Sequence, residues 1–277
     1  MSIRRDVLRP VRRVLRPVRR MLRPIYERAS DYWNDFDPRE IGPSQSNEAD
    51  LIDSLLTGVR VRHTFCEFGF HVSEFNCGRL ALRGWTGLLV DGSELHVRNA
   101  RRIFARGHLK VSTVQAFLSL DNLRSTIMGR FTEAPGVLSV DVDGNDYWFL
   151  EALLPWGPQL VVAEYNASLG LRPLTVPYDP AFERHKKHPS GWYHGASITA
   201  FHGLLARHGY SLLAVSDSGA NLFFMQDALM SAGHVALEPA KAYREGTLRN
   251  SWSKTTAAQQ WETIRNLPFL TVASNRI

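Results

Sequence analysis

Between residues 63 and 226 the chain alternates short apolar runs with amphipathic stretches, and this alternation restricts the fold more than any other feature. The pattern predicts strands at 63–68, 86–91, 109–113, 136–141, 159–164, 210–216 and 221–226. Helices are expected near 74–83, 94–105, 119–129, 145–153 and 196–208, after a short one at Glu48–Leu56. Strands that alternate with helices over such a span form a mostly parallel sheet covered on both faces. The last two strands are joined only by Asp217-Ser218-Gly219-Ala220, which is too short for a parallel crossover and makes an antiparallel hairpin. The expected fold is therefore α/β and Rossmann-like, a seven-stranded sheet closed by a C-terminal hairpin.

A chain of 277 residues can hold one large core and a small extra lobe. Its net charge of +6 is local: residues 1–24 carry nine arginines against Asp6, a net of +8, which leaves −2 for the remainder. A near-neutral body gives no general argument for nucleic acid. The arm repeats Leu-Arg-Pro every seven residues, at Leu8, Leu15 and Leu22. Proline at that interval breaks a straight coiled coil, so the arm is either a solvated basic tail or a segment that lies on an anionic bilayer. Residues 1–47 thus read as arm and linker, 48–229 as the folded domain, and 230–277 as an extension whose Trp252 and Trp261 suggest packing against the body or a partner. No apolar run is long enough for a membrane span and no secretory signal begins the chain. The expected location is the cytoplasm, with peripheral contact at the inner membrane face through the arm. Cys66 and Cys77 lack a metal-ligand spacing and read as reduced structural thiols.

Chemistry concentrates where strands end. The first strand ends at Glu67-Phe68-Gly69 and the second at Asp91, twenty-four residues after Glu67. A carboxylate at the tip of the second strand of a βαβ unit can accept both ribose hydroxyls of a nucleoside cofactor, and glycine lets the backbone approach the ligand. The fourth strand runs into Asp141-Val142-Asp143-Gly144-Asn145-Asp146, and the fifth ends in Glu164-Tyr165-Asn166. The Asp-x-Asp-x-Asn spacing is that of a calcium loop, but its twelfth position is Ala152 and not glutamate, so no such loop is expected. A single Mg²⁺ on Asp143 and Glu164 is a further candidate. The excursion at 165–195 is long for a βα connection and is expected to be a lid or acceptor loop. It carries Tyr178, a basic cluster (His185, Lys186, Lys187 and His188) and Trp192-Tyr193-His194.

Taken in order, Glu67-x-Gly69, Gly84 to Ser93, Asp141 to Trp148, Glu164-Tyr165-Asn166, Ser190 to Ser197 and Gly219 to Phe224 resemble the FkbM-related group of class I methyltransferases across roughly residues 60–226. The resemblance implies dependence on S-adenosylmethionine (SAM) and methylation of oxygen on a sugar, glycan or lipid-linked small molecule. It implies that Glu67, Gly69 and Ser73 face the methionine end of SAM, that Asp91 takes the ribose, that Gln115 lies by the adenine and that Asp141 takes the amino group. The chain departs from the group at the second and third glycines of the first loop, which here are His71 and Ser73. For the acceptor, a hydroxyl must lose its proton as the methyl arrives, so Glu164, Asp143 and His194 are the candidate catalytic groups. Two other readings compete: a non-catalytic methyltransferase fold brought to membranes by the arm, and a nucleic-acid methyltransferase, which rests on the arm alone.

Overall fold

The computed structural model describes residues 36–41 and 44–272. The Leu-Arg-Pro arm, its membrane contact and the first part of the linker lie outside the described residues. From Arg39 onward the chain is one compact unit.

Seven strands make the main sheet: β1 (Thr64–Phe68), β2 (Thr86–Asp91), β3 (Val111–Gln115), β4 (Val137–Val140), β5 (Leu160–Glu164), β7 (Tyr210–Val215) and β8 (Asn221–Gln226). Their order is β3-β2-β1-β4-β5-β8-β7. The first five pair in parallel, while β8 lies antiparallel between β5 and β7. A reversed strand inserted beside the fifth parallel one defines the Rossmann-like methyltransferase fold, with helices on both faces. Phe65, Cys66, Phe68, Leu88, Leu89, Val90, Val137, Leu138 and Val140 are all buried, as expected of strands covered on both sides.

The helices that carry strand tips are fixed by local chemistry. α3 (Glu94–Arg106) starts at Ser93, whose Oγ accepts from His96 N at 3.3 Å, and it buries Val97, Ala100, Ile103 and Phe104 along one face. α7 (Ile198–Arg207) starts at Ser197, whose Oγ accepts from Ala200 N at 3.0 Å. Strand β3 begins two residues later than the sequence suggests. Leu109 N donates to Phe104 O at 3.0 Å and so finishes the turn after α3, which moves Gln115 into the strand opposite Asp91.

The extension turns back onto the body. A two-residue strand β6 (Leu174–Thr175) in the excursion pairs antiparallel with β9 (Leu270–Thr271). Around them Leu169, Val176, Phe182, Tyr193 and Ile264 form a second small core, with Trp192, Trp261 and Phe269 against it. Trp261 meets Phe269 at 5.7 Å between ring centroids, whereas Trp252 is 76% exposed. The excursion is likewise tied down and not a free flap. Asn145 Nδ2 donates to Asp179 O at 2.8 Å, Trp148 Nε1 to Val176 O at 3.0 Å, and Leu120 N to the Tyr178 hydroxyl at 2.9 Å. Among the described residues, no helix is long and apolar enough to cross a membrane.

Candidate active site at the carboxyl ends of the strands

The tips of β1 and β2 hold the first group of residues. Glu67 is buried, and its two carboxylate oxygens accept from Asn76 N and Cys77 N, each at 2.8 Å. The carboxylate thus holds the backbone that leads into α2 (Gly78–Leu82). Burial raises its pKa to about 7 against the opposing pull of those amides. Gly69 has φ +68°, and a Cβ there would stand 1.5 Å from the Asp141 carbonyl oxygen. Glycine is thus required by the close approach of β1 to β4, inside the protein. Ser73 and His71 are engaged with each other, Oγ to Nδ1 at 2.9 Å. The His71 ring stands edge-on to His96 at 5.3 Å, and His96 Nδ1 is 3.4 Å from Asp91 Oδ1. Asp91 Oδ1 also accepts from Ser93 N at 2.6 Å; among the described residues its second oxygen carries no hydrogen bond. Gln115 is exposed opposite it.

The richer group lies at the tips of β4 and β5. One oxygen from each of Asp141, Asp143 and Glu164 falls within 4.8 Å of the others. Asp141 lies close to Glu164; burial first, then the Glu164 charge, raises Asp141 well above the usual range. Burial and Asp143 also raise Glu164, while Arg184 and Arg249 hold it down. Asp146 is no part of the open cluster. Its two oxygens accept from Val142 N at 2.8 Å and Gly144 N at 2.9 Å, which closes the loop before α5 (Asp146–Leu153). The loop is tight: Asp143 has φ +57°, and a Cβ on Gly144 would meet the Phe182 ring at 2.2 Å.

Two arginines complete this group, and neither stands out in the sequence. Arg184 opens the short helix α6 (Arg184–Lys187) of the excursion and donates from Nη1 to Asp143 Oδ1 at 2.5 Å. Arg249 comes from α9 (Thr247–Ser253) of the extension. Its Nη2 is 3.1 Å from His194 Nε2 and 3.7 Å from Glu164 Oε1, and its Nη1 donates to Asn166 Oδ1 at 3.0 Å. Burial lowers the Arg249 pKa to about 10, which leaves it charged at neutral pH. Asn166 is a buried hub, donating from Nδ2 to Trp192 O at 2.7 Å and His194 O at 2.9 Å.

His194 is wholly buried, and burial together with Arg184 and Arg249 lowers its pKa well below the ordinary value. Its Nε2 lies 3.1 Å from Arg249 Nη2 and 4.0 Å from Glu164 Oε1, so the ring stands close to both the guanidinium and the carboxylate. Tyr193 is also buried, donating to Pro268 O and packing on Phe269 at 5.1 Å, so it belongs to the small core. Lys186 and Lys187 pair with Glu183 and Asp179. The Mg²⁺ expectation meets an obstacle, because the guanidinium of Arg184 already lies on Asp143.

No family model and no curated protein matches the sequence. Among solved structures, the chain is similar to an O-methyltransferase from Bacillus cereus in complex with SAH, at 19% identity over 66% of this chain and 81% of that one, with a TM-score of 0.43. It is also similar to magnesium protoporphyrin IX methyltransferase from Synechocystis PCC 6803 with bound SAH, at 14% identity, 75% and 99% coverage and a TM-score of 0.42. A methyltransferase from Geobacter sulfurreducens gives 14% identity, 76% and 88% coverage and a TM-score of 0.42. Likenesses this distant add nothing to the strand order, which by itself defines the fold.

Proposed function

We propose that the chain is a SAM-dependent O-methyltransferase acting on a hydroxyl of a sugar, glycan or lipid-linked small molecule. The observation that carries this reading is the convergence of Asp141, Asp143 and Glu164 at the tips of β4 and β5, one oxygen of each within 4.8 Å of the others, on the same sheet edge as Asp91. Ligands of open α/β sheets bind at that edge. The residues fit an adenosyl donor at two places. The unengaged oxygen of Asp91 suits a ribose hydroxyl, and Asp141 suits an ammonium group, whose positive charge would favour its ionised form. SAM, when bound, supplies the methyl group.

The remaining work falls to the chain itself. Glu164 accepts the proton of the acceptor hydroxyl. Arg249, 3.7 Å from Glu164, favours its charged form, and His194 and Asn166 hold Arg249. No part of this requires a divalent ion.

A second reading, a non-catalytic methyltransferase fold, draws on His71, which occupies the loop where the related group has glycine and leans on His96 beside Asp91. Calorimetry separates the two. Micromolar binding of SAM and its demethylated product, abolished by Asp91→Ala, supports the enzyme; no binding by the wild type supports the scaffold. In either case the arm would bring the protein to anionic surfaces, and co-sedimentation with phosphatidylserine vesicles should disappear when residues 1–24 are deleted.

A further inference from the structure

We propose that Arg184 is the built-in cation of the β4–β5 site, its guanidinium filling the role a divalent ion would take among these carboxylates. Oxygens from Asp141, Asp143 and Glu164 lie within 4.8 Å of one another, the spacing at which oxygen ligands gather around a hard cation. Like charges held so close need a compensating positive charge. Arg249 stands 3.7 Å from Glu164, and Arg184 meets the cluster directly, its Nη1 2.5 Å from Asp143 Oδ1. The pair is not an incidental surface contact. The Arg184 side chain is only 20% exposed, and its Nε donates backward to the Gly191 carbonyl, which fixes the direction of the guanidinium. Gly191 has φ +68° and lies against His185, so the backbone that anchors Arg184 is itself held. The neighbouring lysines pair elsewhere, Lys186 with Glu183 and Lys187 with Asp179, while Arg184 reaches the cluster. Burial works against its charge, but Glu164 and Asp143 more than offset it. A divalent ion bound to the three carboxylates would lie beside this guanidinium and be repelled by it. The inference does not depend on the chain being a methyltransferase.

Mn²⁺ binding to the full chain, followed by the loss of the free-ion electron paramagnetic resonance signal, tests it. Wild type should bind no more tightly than about millimolar, the range of weak and incompletely coordinated oxygen sites. Arg184→Lys, which keeps the charge, should behave like wild type. Arg184→Met should gain at least about tenfold in affinity, equivalent to roughly 1.4 kcal/mol. Adding Asp143→Asn to Arg184→Met should remove the gain. Micromolar binding by wild type that Asp143→Asn weakens would overturn the proposal. So would an Arg184→Met variant with no gain, or a gain that survives Asp143→Asn. If Arg184→Met does not fold, Arg184→Gln is neutral and polar and gives the same readings.

Discussion

Gly69 shows how little freedom a single residue at this strand tip has. Its φ of +68° is unfavourable for any side chain, and an added Cβ would stand 1.5 Å from the Asp141 carbonyl oxygen. Gly69→Ala should lower stability by about 3 kcal/mol or more, through strain that only a backbone shift can relieve. A urea midpoint close to that of wild type would sink this account. Glu67 offers a different test. Its pKa is about 7 in the folded protein against an ordinary 4.5, so between these values the native state holds a proton that the unfolded chain has released. Stability from this group is full below about pH 4.5 and falls as pH rises toward 7, by roughly 3 kcal/mol. Asp146, also raised to about 7, adds a loss of the same sign. Urea titrations at pH 5 and pH 7 should therefore show a smaller difference for Glu67→Gln than for wild type, although the variant is weaker at both because amides of Asn76 and Cys77 lose a carboxylate. An unchanged difference would assign the proton elsewhere.

At the scale of elements, the excursion and the extension support each other. Each contributes one short strand and part of one small core, and neither piece buries enough apolar surface alone. Trp261→Ala should cost about 2–3 kcal/mol, since the ring is packed on Phe269 and covered by Arg172 at 4.2 Å. Trp252→Ala should stay within about 0.5 kcal/mol, as expected of a surface site. Thermal unfolding of the two variants side by side checks both values, and equal shifts would mean that the lobe is not packed as described. The sequence offered both tryptophans as equal signs of packing. Periodicity in 247–264 is too short to say which face of each helix turns inward, and the strand pair β6–β9 is too brief for any alternation to reveal it.

In the molecule as a whole, the candidate site is composite: strand tips supply the carboxylates, the excursion supplies Arg184 and His194, and the extension supplies Arg249. Arg249→Met should raise the His194 pKa toward its ordinary value, because a nearby positive charge is removed. Imidazole resonances followed by NMR would show His194 beginning to titrate between pH 5 and 8. Silence across that range in both proteins would mean that burial alone sets the value.

Much of this was legible beforehand because the relevant signals are local. Apolar runs fixed seven strands, a four-residue loop fixed the hairpin, and glutamate or aspartate at strand ends marked Glu67, Asp91, Asp141, Asp143 and Glu164. What those carboxylates touch was not legible. Glu67 turns to backbone amides, Asp141 gathers with Asp143 and Glu164, and two unremarked arginines join the cluster from distant segments. Strand identity follows from side chains a few residues apart. Charge compensation at a buried carboxylate follows from whichever chain the fold brings within a few ångströms, and only the tertiary structure decides that.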